Sequence, residues 1–281
     1  MTEDRTRALA TALVVGALVL TSTVVLASPL VDARPAHEIP VTERTDADLG
    51  SPTADDWSSV PASDVALSSA PSSVPNAADT SIERVHVQAV RSDGEFYIRL
   101  QWADPSRNVS ADGTGRFVDA VAVQFPANTS SRPPIAMGGR DNRVNVWYWS
   151  GGVGPQELLA GGAGTTTPFT ATTIDANATY ENGTWTVVYS RSVDAEGANR
   201  TDLDSADTLD VAFAVWNGGN DERAGRKAVS EWHYFPTGTG TQGPPYQTHL
   251  WSVAGVAIVG VVAVTAFGVL RTRSGSGGGG G

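Results

Sequence analysis

Apolar and polar positions alternate along the chain between residues 82 and 236, and this alternation predicts a series of β-strands. The first two runs, RVHVQAV and EFYIRLQW, are separated by RSDG, whose Asp-Gly pair is typical of a hairpin turn. Clusters of Gly, Pro and Ser separate the later runs, and no convincing amphipathic helix is found between them. These later runs occupy residues 119–126, 143–149, 184–191 and 210–216.

This succession of short strands predicts an all-β fold, an antiparallel β-sandwich of immunoglobulin-like type over residues 82–236. The preceding segment, residues 29–80, is rich in Ser, Pro and Asp and is predicted to form a stalk and connecting loops rather than core. Trp57 is the exception, because a large aromatic side chain is expected to pack on the domain.

Two segments are apolar enough to enter a membrane. Residues 8–28 follow a short charged start, so residues 1–28 are predicted to be a signal peptide or an N-terminal anchor. Residues 250–270 form an uncharged stretch of 21 residues, which predicts a C-terminal transmembrane helix. The basic triplet RTR follows, so we expect a cytoplasmic C-terminus and an extracellular main domain on the cell membrane. The remaining parts are predicted to be a linker and a Gly-rich cytoplasmic tail, residues 237–249 and 271–281.

The chain carries 30 acidic and 19 basic residues, and its formal net charge of −11 argues against a nucleic-acid partner. Arginine replaces lysine almost everywhere, which is typical of proteins dissolved in strong salt and predicts a halophilic source. The absence of cysteine excludes disulfides, thiolate metal sites and covalently attached haem. Five N-x-S/T sequons agree with an exterior domain, at Asn108, Asn128, Asn177, Asn182 and Asn199.

The sequence contains no nucleophile elbow, zinc-protease motif, P-loop or dinucleotide fingerprint, so no catalytic residue is predicted. One loop is crowded with carboxylates, for which a solvated acidic surface and a calcium site are both open interpretations. The carboxylates belong to Asp202, Asp204, Asp207 and Asp210.

Met137 is the only methionine besides the initiator, and Lys227 is the only lysine of the chain. Met137 could simply fill a gap in the core, and Lys227 could be a chance survivor of arginine substitution. Chemically, however, a thioether and a neutral amine can fill the two axial positions of a haem iron. Lysine binds iron only as the free amine, and arginine cannot replace it because its guanidinium stays protonated.

Five blocks in order are similar to the haem-binding domain of the ethylbenzene dehydrogenase γ-subunit family, the b-haem subunits of DMSO-reductase-type molybdoenzymes. The resemblance covers Trp57 to about Phe235 and implies one non-covalent haem b with Met137 and Lys227 as axial ligands of the iron. The blocks are DDWSSVPASDVALS, VHVQAVRSDGEFYIRLQWAD, FVDAVAVQFP, PPIAMGGRDNRVNVWYW and VAFAVWNGGNDERAGRKAVSEWHYF.

The resemblance further implies a non-catalytic electron-transfer subunit of a respiratory complex. Its expected partners are a molybdopterin catalytic subunit and an iron–sulfur subunit. The membrane helix departs from the often soluble family members and adds a membrane cytochrome b or a quinol oxidase as an open alternative. For an outward-facing enzyme of a halophile, we expect a nitrate reductase in anaerobic respiration, with DMSO, chlorate or selenate reductase as alternatives.

Several further side chains are candidates for the haem pocket. Arginines near the two ligand positions could pair with haem propionates or could be ordinary surface residues, namely Arg140, Arg143, Arg223 and Arg226. Tryptophans at strand ends could wall the haem or belong to the core, namely Trp147, Trp149 and Trp216. His86 and His233 are alternative iron ligands in place of Met137 or Lys227.

Two other functions remain open from the sequence. A non-catalytic carbohydrate-binding or adhesion sandwich would use exposed Trp, Asn and Asp side chains and would tolerate Lys227→Arg. A structural subunit that has lost its haem would have no need of Met137 and Lys227 together.

Overall fold

The computed structural model describes residues 37–194, 197–204 and 208–237, and nearly all of the regular structure in these ranges is β-strand. The exceptions are two 3₁₀ turns, Asp55–Ser59 and Gly218–Asn220. The strands in chain order are β1 (Val41–Arg44), β2 (Ser63–Ala66), β3 (Ser68–Ser69), β4 (Arg84–Ser92), β5 (Glu95–Ala103), β6 (Ala120–Pro126), β7 (Val144–Ser150), β8 (Gly154–Ala160), β9 (Thr167–Pro168), β10 (Asp175–Glu181), β11 (Thr184–Ser192), β12 (Thr208–Trp216), β13 (Ala228–Val229) and β14 (His233–Pro236).

The described strands form two sheets, which confirms the all-β prediction. A six-stranded sheet has the order β1-β4-β5-β11-β10, with β2 also paired to β4. An eight-stranded sheet has the order β3-β13-β12-β6-β7-β8-β9, with β14 also paired to β12. All strand pairs are antiparallel except β1 with β4, so the sheets are predominantly rather than wholly antiparallel.

The turns explain why the long strands follow their predicted positions. In the β4–β5 hairpin, Asp93 and Gly94 both have positive φ, 52° and 81°. In the β10–β11 hairpin, Asn182 and Gly183 have φ of 50° and 76°. Two successive residues of positive φ make the type of turn whose twist matches a β-hairpin, and Asp-Gly and Asn-Gly adopt it readily.

The main core lies between the two sheets. Alternate residues of β4, β5 and β11 meet alternate residues of β6, β7 and β12 there. Trp147, for example, is fully buried against Phe125, with ring centroids 4.9 Å apart. The hydroxyl of Tyr189 on β11 donates a hydrogen bond of 2.9 Å to the carbonyl of Val121 on β6 and thereby links the sheets.

The N-terminal part covers the outer face of the six-stranded sheet. Leu49, Trp57 and Val60 pack on Val90 and Val188 and form a second cluster of buried side chains. Trp57 retains only 2% of its exposure, in agreement with its expected packing on the domain.

The expectation of a stalk over residues 29–80 therefore needs correction from residue 37 on. Strands β1, β2 and β3 pair with the sheets, and Ile39 and Val65 lie in the main core. Apolar residues spaced among Ser and Pro were enough to bury this segment, although its composition is typical of a loop.

Several predicted parts lie outside the described residues. These are the signal peptide or anchor, the linker from residue 238 on, the transmembrane helix at 250–270 and the Gly-rich tail. Within the ranges that the structure describes, no helix is long and apolar enough to cross a membrane.

Candidate ligand-binding cavity

The outer face of the eight-stranded sheet borders a cavity of about 720 Å³. Strand residues on this face alternate with those of the main core, so even-numbered positions of β6 and β12 point to the cavity and odd-numbered ones to the core. Four of these positions carry only a methyl group, which leaves room above the sheet. They are Ala120, Ala122, Ala212 and Ala214.

Larger apolar side chains and several loops complete the walls. Val146, Tyr148 and Leu158 extend the sheet face, and Trp216 packs edge-on against Tyr148 with ring centroids 5.7 Å apart. The loop residues include 70–74, 111, 117–118, 135–137, 163–164, 166, 222–225 and 227. The cavity is therefore a predominantly apolar space of the size that proteins use for small molecules and cofactors, about 300–1,000 Å³.

Met137 reaches the cavity from a strained loop. Its φ of 65° is unusual for a residue with a side chain, and Gly138 follows with φ of 74°. The loop is fastened to its surroundings, because Gln124 Nε2 donates to the carbonyl of Ile135 at 3.2 Å and Trp232 Nε1 to that of Pro133 at 3.2 Å. A backbone conformation that is unfavourable but firmly held suggests a functional placement of the thioether.

Lys227 also lines the cavity, immediately before β13. Its Nζ lies 3.5 Å from the Sδ of Met137 and 5.0 Å from the centre of the Trp216 ring. The residue is only 8% exposed, and no ion pair with a carboxylate is recorded for it in the described part of the chain. Burial lowers the pKa of Lys227 from 10.5 to about 8, so the free amine forms at a lower pH than in an exposed lysine.

Glu222 and Tyr148, two other polar side chains at the cavity, are satisfied or neutral. Glu222 is buried, and its carboxylate accepts hydrogen bonds from the backbone and hydroxyl of Ser81, the backbone of Asn217 and the amide of Asn220. Burial raises the pKa of the Tyr148 phenol and keeps it neutral. The cavity thus offers a thioether and an amine as its unusual chemical feature.

Among the predicted tryptophans, the structure brings only Trp216 to the cavity. Trp149 and Trp147 lie on β7 at odd-numbered positions and point into the main core. Trp149 packs there against Trp185 at a centroid distance of 5.0 Å. Contrary to the prediction, Trp149 does not line the cavity, because the alternation of side chains along the strand turns it to the other face of the sheet.

The predicted arginines also separate. Arg140 and Arg143 line a different cleft of about 540 Å³. Arg226 is buried, and its Nε and Nη2 donate to the carbonyl and carboxylate of Asp79, each at 2.9 Å. Of the four arginines, only Arg223 lines the cavity.

Neither histidine alternative reaches the cavity. His86 on β4 pairs with Asp64 on the six-stranded sheet. His233 on β14 packs edge-on against His37, with centroids 5.2 Å apart, and burial lowers its pKa. Both side chains are engaged elsewhere.

The carboxylate-rich loop assembles no metal site within the described residues. Asp210 on β12 accepts a hydrogen bond of 2.9 Å from Nε of Arg132, and Asp204 pairs with Arg91 at 2.9 Å. Asp207 lies outside the described residues.

Sequence reasoning missed the alanines of the sheet, Phe117 and the 70–74 loop as parts of the cavity. A signal for the alanines was present, because the runs DAVAVQF and DVAFAVW are apolar at nearly every position. Such runs are typical of strands buried on both faces. The loop 70–74 carries no comparable signal, since APSSV reads as an ordinary connection.

Comparison with known proteins identifies the family. The family model described as ethylbenzene dehydrogenase matches residues 54–172 and 162–228, more than half of the chain. The chain belongs to the ethylbenzene dehydrogenase family. Both Met137 and Lys227 lie within the part of the chain that matches the family.

Curated relatives of this family member are similar over most of its length. The putative respiratory nitrate reductase heme subunit ORF7 of Haloferax mediterranei is 52% identical over 92% of this chain and 94% of its own. The chlorate reductase subunit gamma of Ideonella dechloratans is 34% identical over 66% of this chain and 78% of its own. The dimethylsulfide dehydrogenase subunit gamma of Rhodovulum sulfidophilum is 34% identical over 51% of this chain and 56% of its own.

Similarity to solved structures is weaker. A family 9 carbohydrate-binding module from Caldicellulosiruptor kristjanssonii, in complex with glucose, matches with a TM-score of 0.43 and 10% identity. It covers 73% of this chain and 97% of the module. A likeness at this level carries no argument about function.

Proposed function

We propose that the protein is the haem-binding electron-transfer subunit of a molybdopterin oxidoreductase. The observation that carries the proposal is the Met137–Lys227 pair, whose Sδ and Nζ atoms lie 3.5 Å apart at an apolar cavity. Relatives named as a nitrate reductase heme subunit and as gamma subunits of chlorate reductase and dimethylsulfide dehydrogenase support it.

Met137 and Lys227 are proposed to hold the iron of one non-covalent haem b, with the thioether and the free amine as its protein ligands. When bound, haem supplies one-electron oxidation and reduction at its iron. A thioether ligand favours the reduced state and raises the potential. The amine must bind in its neutral form, and the burial that lowers the pKa of Lys227 to about 8 favours that form.

The volume of the cavity and its lining would suit a large, mainly apolar group. The methyl groups of Ala122 and Ala214 leave the sheet face low, and Trp216 and Tyr148 form an aromatic wall. These side chains would exclude water from the redox centre and fix its orientation. The protein itself would perform no substrate chemistry.

The expected partners are a molybdopterin catalytic subunit and an iron–sulfur subunit, with nitrate as the favoured substrate of the complex. The relative at 52% identity, which is named for nitrate reductase, supports this choice over chlorate or dimethylsulfide. Copurification of the subunits from the native membrane, followed by nitrate-dependent oxidation of the reduced haem, tests it.

We also propose that the domain lies outside the cell, anchored by a helix at residues 250–270. The support is the uncharged stretch itself and the basic RTR that follows it. Protease added to intact cells should remove the domain while a cytoplasmic tag at the C-terminus stays protected. Degradation of the tag in intact cells would show that the C-terminus lies outside the cell, contrary to the proposal.

The decisive experiment is a reduced-minus-oxidised absorption spectrum of the full chain, purified in high salt after expression with a haem supply. Sharp low-spin b-type bands are expected from the wild type. Lys227→Arg should lose these bands, because the guanidinium cannot offer a free amine. Arg140→Lys is the control and should keep them, since Arg140 lines a different cleft.

A folded wild-type chain that takes up no haem would overturn the proposed function. Equal spectra for wild type and Lys227→Arg would overturn only the assignment of Lys227 as a ligand. The alternative of a carbohydrate-binding surface gains no support from the aromatic residues, because no tryptophan in the described ranges is exposed.

A further inference from the structure

The four arginines that flank the ligand positions in sequence differ in what they can bind. Arg140 and Arg143 lie at the separate cleft, and Arg226 is committed to Asp79 through two hydrogen bonds. Arg223 alone lines the cavity. It therefore has the only guanidinium among these four that is positioned to meet a ligand in that space.

Arg223 is held in place without being neutralised. Its guanidinium carbon lies 4.1 Å from the centre of the Phe117 ring, and Nη1 donates to the carbonyl of Asp221 at 3.4 Å. No carboxylate forms an ion pair with it in the described part of the chain. A guanidinium stacked on an aromatic face keeps the N–H groups along its edge free for an anion.

The loop around Arg223 is also constrained. The backbone N–H of Arg226 donates to the carbonyl of Arg223 at 2.9 Å, and the indole of Trp216 donates to the carbonyl of Ala224 at 3.2 Å. Arg223 is exposed whereas Lys227, four residues later, is buried. The loop thus presents one cation at the solvent side of the cavity and one amine inside it.

The remaining charge of the cavity wall does not compete for Arg223. Glu222, the neighbouring residue, turns its carboxylate to Ser81, Asn217 and Asn220 and is 1% exposed. An anionic group at the mouth would therefore meet an unpaired guanidinium rather than a neutralised one. Arginine with a carboxylate is among the strongest charge-assisted hydrogen-bonded pairs.

We propose that Arg223 binds a carboxylate substituent of the haem at the mouth of the cavity. The inference rests on the proposed function and extends it, because it assigns a residue to the carboxylates: Arg223 would hold them, and Met137 and Lys227 would hold the iron. Phe117 acts as the platform that positions the guanidinium.

The test compares haem with its dimethyl ester, in which the carboxylates are blocked as neutral esters. Both are titrated by absorbance into the cofactor-free full chain of the wild type, Arg223→Gln and Arg140→Gln. Arg223→Gln should weaken haem binding about tenfold, as expected for loss of one charge-assisted pair, and leave binding of the ester unchanged. Arg140→Gln should bind both ligands like the wild type.

The outcomes separate this inference from the proposed function. Unchanged haem affinity in Arg223→Gln, or an equal loss for haem and ester, would overturn the carboxylate assignment while the haem function stands. A wild type that binds neither ligand would overturn the haem function and this inference with it. Arg223→Lys keeps the positive charge but not the planar guanidinium. Its affinity for haem should lie between those of the wild type and Arg223→Gln, and its affinity for the ester should equal that of the wild type.

Discussion

Lys227 is placed where its charge is unfavourable in the cofactor-free protein. It is 8% exposed beside a thioether and an indole, and its pKa is lowered to about 8 by burial. Lys227→Met replaces it with an apolar side chain of similar length. At pH 7 the cofactor-free variant should therefore be more stable than the wild type, by about 2–3 kcal/mol.

The pH dependence of this difference follows from the direction of the shift. Below about pH 8 the lysine is charged in both folded and unfolded chains, so the full unfavourable contribution is present. Above pH 10.5 it is neutral in both, and the contribution vanishes. Urea unfolding of the wild type and of Lys227→Met at pH 7 and pH 10.5 measures the difference between their free energies of unfolding. Because both proteins are compared at the same pH, the contributions of all other titrating groups cancel. A wild type that is the more stable protein at pH 7 would contradict it.

At the scale of single residues, the sequence singled out Met137 and Lys227 because each is unique in the folded part of the chain. It could not rank Arg140, Arg143, Arg223 and Arg226, since their sequence distance to the ligands is similar. The paths of two loops distinguish the four arginines. They determine whether a guanidinium binds Asp79, lines the separate cleft or lines the cavity.

At the scale of elements, the loop that carries Met137 depends on Gly138. A Cβ at this position would lie 2.6 Å from the carbonyl oxygen of Asn142, and φ is 74°. Gly138→Ala should therefore destabilise the protein by about 1–3 kcal/mol and weaken haem binding by moving the thioether.

Gly139→Ala is the matched control for the same loop. Its nearest new contact would be Cγ of Pro134 at 3.8 Å, an ordinary van der Waals distance. Haem titration and urea unfolding of both variants should show near wild-type behaviour for Gly139→Ala only. If both variants behave alike, the geometry of the loop does not control the position of Met137.

The alanines on the outer face of the eight-stranded sheet give a second prediction at the scale of elements. Ala122→Leu extends into the cavity, so the cofactor-free protein should stay folded while haem affinity falls. Ala89→Leu on β4 is the contrast, because Ala89 is fully buried in the main core, and overpacking there should reduce stability by about 1–3 kcal/mol. Unfolding and haem titrations of both variants measure this. Unchanged haem affinity in Ala122→Leu would place the ligand elsewhere.

The long strands were predictable because their apolar residues are dense and their turns have distinctive sequences. The predicted runs 119–126 and 184–191 correspond to β6 (Ala120–Pro126) and β11 (Thr184–Ser192). The polar strand β10, with the sequence DANATYE, was missed because its pairing with β11 rather than its own burial defines it.

At the scale of the whole molecule, other segments of the chain cover the outer face of each sheet. Residues 47–60 cover the six-stranded sheet, and the cavity with its loops lies on the eight-stranded one. Sequence patterns predicted the β-sandwich and the packing of Trp57 on the domain, but not the rest of these coverings. Both depend on contacts between segments far apart in the chain, such as Gln88 with the carbonyls of Trp57 and Val60.

The net charge of −11 gives a prediction for the whole chain. Mutual repulsion of carboxylates destabilises the compact state, and salt screens it as the Debye length falls from about 10 Å at 0.1 M to about 3 Å at 1 M. Raising NaCl over this range at pH 7 should therefore raise the thermal unfolding midpoint.

The same titration near pH 4.7, the isoelectric point, is the control, because little net charge remains there to be screened. The salt effect should nearly vanish at that pH if repulsion is its cause. A rise of equal size at both pH values would instead assign the effect to burial of apolar surface, which salt strengthens irrespective of charge.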